Sequence, residues 1–351
     1  MSDPSEGSHH WRSTQRHRPG PVVNRQPAPR PFRKILVGVA DVQARSLPAV
    51  RKAALIAAAC DASLELFHDI DVPVFVELLP ENRGALARLR REAQQAALAK
   101  LERIAAPLRA SGLRVRTAAT WDYPAAEAIV RRAMRTAADL IVVPRRAHHR
   151  MAGLLGYTDW ELLRHSPVPV LLVKSGRPYR RPVVLAAIDP RHAYAKPAGL
   201  DRRLLDASSR LALALRAKWH VMHAWEPLAV PLTDADTNYA NMATHIEEQG
   251  RDTARQAFDR LVAPHDLPPS QCHLIEAHPA VAIPLLARRL RSSVVVMGAI
   301  SRSGLKRLFV GNTAERVIDQ LPCDLLVVKP QRFPQQVPRR ERGLRLLSAQ
   351  V

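Results

Sequence analysis

A chain of 351 residues with 47% hydrophobic content is long enough for two cores of ordinary domain size, and no apolar run in it approaches the roughly 20 residues that cross a bilayer. Three widely spaced cysteines, Cys60, Cys272 and Cys323, exclude a disulfide framework and a CxxC metal knuckle, and without a secretory segment in residues 1–30 the expected compartment is the cytoplasm. The formal charge of +21 draws anionic partners, yet only 8 of the 53 basic residues are lysine, and an arginine bias on solvated helix faces sets solubility and encounter rates rather than fold or specificity.

Residues 1–30 combine Ser, Pro, Arg, Gln and His without apolar periodicity, which predicts a disordered basic arm. Residues 31–176 and 180–330 then repeat one another. The run KILVGVAD, from Lys34 to Asp41, is echoed 148 residues later by PVVLAAID, from Pro182 to Asp189; continuous apolar runs of this kind suit strands covered on both faces. In each copy a helix follows, at 49–59 and 201–215, and then a second strand at 63–70 and 218–224. His68 and His223 stand at equivalent places there, as core or pocket-wall residues with one nitrogen satisfied. Longer helical patterns span 85–108 and 239–262, third strands 113–119 and 272–276, and further helices 125–135 and 281–291. Fourth strands at 139–143 and 293–297 lead through a glycine-bearing loop and a helix to fifth strands at 167–174 and 322–329. Residues 331–351 predict a loosely held basic tail.

Alternating strand and helix demand parallel pairing, so the expected architecture is α/β: two tandem doubly wound five-stranded parallel sheets. Ligands in such sheets bind at the carboxyl ends of the strands, where the winding reverses. In the second copy those ends are Ile188 and Asp189, Ala224, and Met297 with Gly298. The loop that follows reads GAISRSGLKRLFVGNTAERV, from Gly298 to Val317. Gly298 lets the backbone turn off the strand, and Gly311 brings main-chain amides close to an anion at a helix start. Asn312 or Thr313 caps that helix with Glu315 in reach, while Arg302, Lys306 and Arg307 add positive charge. The same features also serve a plain strand-to-helix connection with an ordinary cap.

This segment, set in a five-stranded repeat, resembles the nucleotide-binding signature of the universal stress protein family: Gly, two residues, Gly, nine residues, Gly, then Ser or Thr. The resemblance covers residues 33–330 in two copies and implies a five-stranded parallel sheet in each, with ATP as the cofactor that some members bind. It implies that Asp189 faces the ribose or adenine, that Met297 and Gly298 line the approach of base and phosphates, and that Gly311, Asn312 and Thr313 hold phosphates. The second signature glycine falls at Ser301 by strict counting, with Gly304 three residues later, and Asn312 stands between Gly311 and Thr313. In the first copy Pro144 replaces the glycine after strand four, and Asp159 and Trp160 follow the surviving Gly156 and Thr158, which predicts a degenerate site.

Adjacent His148 and His149 lack carboxylate or cysteine neighbours, so no metal site is expected, and no GxSxG, HExxH or GxxxxGK[ST] motif is present. The leading expectation is therefore a regulatory protein of the stress response that binds a nucleotide or another small anion without strong catalysis. A weak ATPase or phosphotransfer enzyme on the same loop is the second reading, and a nucleic-acid-associated basic protein the third. Strand five of each copy should form a long apolar sheet edge that seeks another strand, predicting an internal pseudo-dimer, with a homodimer as the alternative.

Overall fold

A computed structural model describes residues 32–70, 74–75, 83–145, 158–191, 199–226, 237–298, 317–334, 336–343 and 346–347. The arm at 1–30, His148 and His149, and the charged loop after strand four of the second copy lie outside the described residues.

In the first half the elements are β1 (Lys34–Gly38), α1 (Pro48–Cys60), β2 (Ser63–Asp69), β3 (Val74–Phe75), α2 (Arg83–Ala110), β4 (Val115–Thr120), α3 (Ala125–Thr136), β5 (Leu140–Pro144), α4 (Thr158–His165) and β6 (Val170–Val173). The second half runs β7 (Val183–Ile188), α5 (Leu200–Leu215), β8 (Lys218–Trp225), α6 (Thr237–Val262), β9 (Cys272–Glu276), α7 (Pro279–Arg289), β10 (Val294–Gly298), a helical turn at 317–320 and β11 (Asp324–Val328). A last short strand, β12 (Leu346–Leu347), pairs with β3.

The central strands form where the sequence is continuously apolar, because helices on both faces remove every side chain from water. β5 and β10 are the plainest cases, each with its first four residues buried. Successive residues alternate between two apolar layers. Ile35, Val37, Val184 and Leu326 pack under α1, α2, α5 and α6 on one face, while Leu36, Ile141, Leu185 and Leu325 pack under α3, α4 and α7 on the other.

Within each half the strand order places the first strand beside the fourth, with parallel pairs β1 to β5 and β7 to β10. The two five-stranded parallel sheets join edge to edge through their fifth strands, making one ten-stranded sheet in the order β4-β2-β1-β5-β6-β11-β10-β7-β8-β9. The strands at its centre, β6 and β11, are antiparallel, with Leu171 opposite Leu326. Both leucines are fully buried, so this joint belongs to the core.

Polar groups lock the joint. Asp324, fully buried, accepts from Lys52 Nζ (2.5 Å), Tyr179 Oη (2.6 Å) and the backbone amides of Lys174 (2.9 Å) and Ser175 (3.1 Å). Lys52 also donates to the Ser175 carbonyl at 2.7 Å, so the buried pair is satisfied by hydrogen bonds as well as by charge. Two lysines, each just past its fifth strand, cross the joint reciprocally. Lys174 donates to the Ile318 and Leu321 carbonyls of the second half, and Lys329 donates to the Arg164 carbonyl of the first. Burial pushes both ammonium groups down, Lys174 to about 8 and Lys329 to about 7.

The tail differs from the loose segment expected. Buried Asp122, already paired with Arg131 at 2.7 Å, also accepts from the backbone amide of Arg342 at 2.9 Å, and the Arg342 guanidinium forks onto Glu127 at 2.9 and 2.8 Å. Residues 338–343 are therefore held against α3, because Asp122 and Glu127 offer acceptors that tail donors satisfy.

Candidate functional site

A crevice lies where β7 and β10 end side by side, since Met297 pairs with Ala187 and Gly298 closes β10. The described site residues gather there. Ile188 and Met297 are buried, Ala224 and Gly298 are partly exposed, and Asp189 is 7% exposed. Arg302, Gly304, Gly311, Asn312 and Thr313 lie outside the described residues.

Asp189 sits at the turn off β7, and its backbone amide donates to Asp201 Oδ1 at 3.0 Å. Asp201, in the first turn of α5, is itself 4% exposed. The Asp189 carboxylate is different: both its oxygens are buried, and among the described residues neither accepts a hydrogen bond. A carboxylate in that position loses its water without replacement, which is among the more expensive arrangements a fold can hold. Beside it, His223 on β8 places Nδ1 3.2 Å from the Ile188 carbonyl and stacks on Phe258, with ring centroids 6.5 Å apart. His68 does the same in the first half, its Nδ1 lying 2.7 Å from the Val39 carbonyl, so both histidines pin the end of the first strand to the second.

Gly298 is required by packing. A Cβ there would stand 2.9 Å from Leu200 Cδ2, because the start of α5 presses onto the end of β10. In the first half the close approach falls on the other strand, where a Cβ at Gly38 would stand 2.9 Å from Val143 Cγ1.

The corresponding crevice of the first half is small. Gly38, Asp69, Pro144, Thr158 and Asp159 line a cavity of about 20 Å³, room for a water molecule. Asp69 and Asp159, each 5% exposed, place two carboxyl groups where the ends of β1, β2 and β5 converge on α4. Asp41, the counterpart of Asp189, is exposed and accepts the Gln43 amide at 2.7 Å in a local turn.

Two features of the crevices escape sequence reading. Asp201 gives no motif, and its link to Asp189 depends on how α5 enters; Asp69 follows His68 in an ordinary-looking strand. Among the described residues no group of three or more His, Cys, Asp or Glu is placed to hold a metal ion, and no helix is long and apolar enough to cross a membrane.

Comparison with known proteins agrees with this duplicated architecture. The chain matches the universal stress protein family twice, at residues 31–174 and 184–329. It is 30% identical over 234 residues to Universal stress protein E of Escherichia coli, spanning 64% of this chain and 71% of that protein. The protein of the same name from Photorhabdus laumondii is 27% identical over 319 residues, spanning 86% and 96%. Among solved structures, a functionally unknown protein from Pseudomonas aeruginosa superposes with a TM-score of 0.62 at 26% identity, covering 86% of this chain and 93% of that one. A universal stress protein from Archaeoglobus fulgidus superposes with a TM-score of 0.55 at 15% identity over 84% of this chain and 96% of its own, a likeness of fold alone. With the repeat, the strand order and both halves matched, the chain belongs to the universal stress protein family as a tandem of two family domains.

Proposed function

We propose that the chain is a stress-response regulator whose second domain binds a nucleotide or a similar small anionic ligand and whose first domain has lost that capacity. The observation that carries this reading is the buried carboxylate of Asp189 at the end of β7, which has no donor among the described residues. Such an acceptor is complemented by a ligand that brings N–H or O–H groups to it, as an adenine amino group or a ribose hydroxyl does. The negative end of the ligand belongs away from Asp189 and Asp201, toward the loop that begins at Gly298, where Arg302, Gly311, Asn312 and Thr313 supply positive charge, backbone amides and a hydroxyl. ATP fits that polarity, with Asp189, Met297 and Gly298 holding the nucleoside end and the loop holding the phosphates. In the first domain, Asp69 and Asp159 in a cavity of about 20 Å³ oppose an anion by both charge and size.

Mass spectrometry of the small molecules released from purified, denatured protein tests occupancy without presuming ATP. Stoichiometric nucleotide that disappears in Asp189→Ala supports the reading; an empty second domain, or equal occupancy in that variant, overturns it. No turnover accompanies binding in this reading, and product release abolished by Thr313→Ala would move the assignment to a phosphotransfer or ATP-hydrolysing enzyme.

A further inference from the structure

A second cleft lies on the opposite edge of the second domain, beside the amino-terminal ends of β10 and β11. It has a volume of about 400 Å³, and its walls are Lys52 of α1, the interdomain linker with Arg177, Tyr179 and Arg180, and the segment from Arg288 to Ser293 that enters β10. Asp324 lies beside it but already accepts four donors, Lys52 and Tyr179 among them, so its charge is committed. Arg288 is accounted for by the fold. It occupies the last turn of α7, where a cation complements the free carbonyls, and donates to the Gln320 carbonyl at 3.1 Å. Arg177, Arg180 and Arg291 are exposed and pair with no carboxylate among the described residues.

The equivalent turn of the first domain shows that shape alone does not ask for this charge. Arg291 and Ala137 hold the same left-handed backbone, with φ of 51° and 52°, and the amides that follow, of Ser292 and Ala138, return to the helix in the same way. Where the first domain has two alanines, the second has Arg291-Ser292. Ser292 is 7% exposed, lines the cleft, and its Oγ has no hydrogen-bond partner among the described residues. A buried hydroxyl with nothing to bond is costly to a fold and useful to a bound oxygen.

We propose that this cleft is a binding site for an oligophosphate group, separate from the crevice at Asp189. Guanidinium forks match pairs of phosphoryl oxygens, and three of them on two chain segments call for more than one phosphoryl group, since a monocarboxylate would leave most of the charge uncompensated. The volume lies within the usual range of small-molecule sites, roughly 300–1,000 Å³. Because the arginines come from the linker and from the entry to β10, the bound anion ties the linker to the second domain next to the Asp324 joint.

Isothermal titration of the full chain with inorganic triphosphate at physiological salt tests the site. One saturable site per chain is expected, weakened at least about 10-fold in the triple variant Arg177→Gln, Arg180→Gln, Arg291→Gln and less in Ser292→Ala. A charge-matched control, Arg88→Gln, Arg91→Gln, Arg103→Gln on the exposed face of α2, should bind as the parent does. Equal loss in control and triple variant, or binding that never saturates, reduces the effect to general charge and overturns the proposal. Both variants carry the same net charge, so circular dichroism and melting temperature check that the triple variant is folded. Competition separates the sources. ATP that displaces triphosphate through these arginines in an Asp189→Ala background identifies nucleotide phosphates; triphosphate binding indifferent to ATP identifies a free oligophosphate.

Discussion

The two domains share an ancestral plan but handle the end of their first strand in opposite ways. In the first, Asp41 points to solvent and caps a local turn, while Asp69 and Asp159 line a crevice of about 20 Å³. In the second, Asp189 is withdrawn from water with no donor for its carboxylate among the described residues, and Ala224 stands where the first domain has Asp69. A strand end satisfied by its own loop is finished as a structure. One left unsatisfied is held in place by the surrounding fold at a cost, and such costs persist where a ligand relieves them.

The largest expected effect tests what holds this unequal pair together. Asp324→Ala strands Lys52 as a buried, uncompensated charge and should destabilise the chain by about 3–5 kcal/mol in urea denaturation, splitting one unfolding transition into two. A single unchanged transition would show that the domains are joined by apolar packing alone.

The next contrast is between Lys174 and Lys329. An unfolded chain keeps both protonated up to the ordinary value of 10.5, whereas the folded protein releases protons from about 8 and about 7. Between pH 7 and 10.5 the unfolded state binds more protons, so stability should rise with pH across that window and level off below 7. Lys329→Met should therefore gain on the order of 2 kcal/mol at pH 7 and lose most of that gain by pH 10. A difference between the two proteins that does not vary with pH would count against a depressed Lys329.

Gly38→Ala and Gly298→Ala probe the exchanged close approaches and should each cost about 1–3 kcal/mol, since the new Cβ meets a branched side chain at 2.9 Å. Only Gly298→Ala should also disturb ligand retention, because Gly38 borders the small crevice of the first domain. The smallest effect sharpens the contrast most. Asp189→Asn, measured without ligand, should stabilise by about 1 kcal/mol, whereas Asp41→Ala should destabilise by a similar amount as its turn loses an acceptor. Equal signs would erase the distinction between the two strand ends.

Much of this architecture was legible because a strand covered on both faces has only apolar residues to offer, as in the runs that became β1, β5, β7 and β10. Of the two outer strands, β9 has the bounds its sequence suggests, and β4 does not. β4 has a mixed burial pattern and starts two residues later than its sequence suggests, as expected of a strand paired on one side only. The tail was misread because no local pattern announces Asp122 as its anchor, 220 residues from Arg342. The contrast between Asp41 and Asp189 was equally hidden, since both close an apolar run in aspartate, and among the described residues what sets Asp189 apart is its link to Asp201 at the start of α5.

The antiparallel joint between β6 and β11 also fixes where the molecule faces. Strand polarity reverses at mid-sheet, so the carboxyl edges of the two domains open in opposite directions, and the oligophosphate cleft looks out on the side of the first domain's crevice. Occupants of the Asp189 crevice and of the arginine cleft could never touch. Any conversation between them must pass along the backs of β10 and β11, which makes this sheet a partition with a separate door on each side.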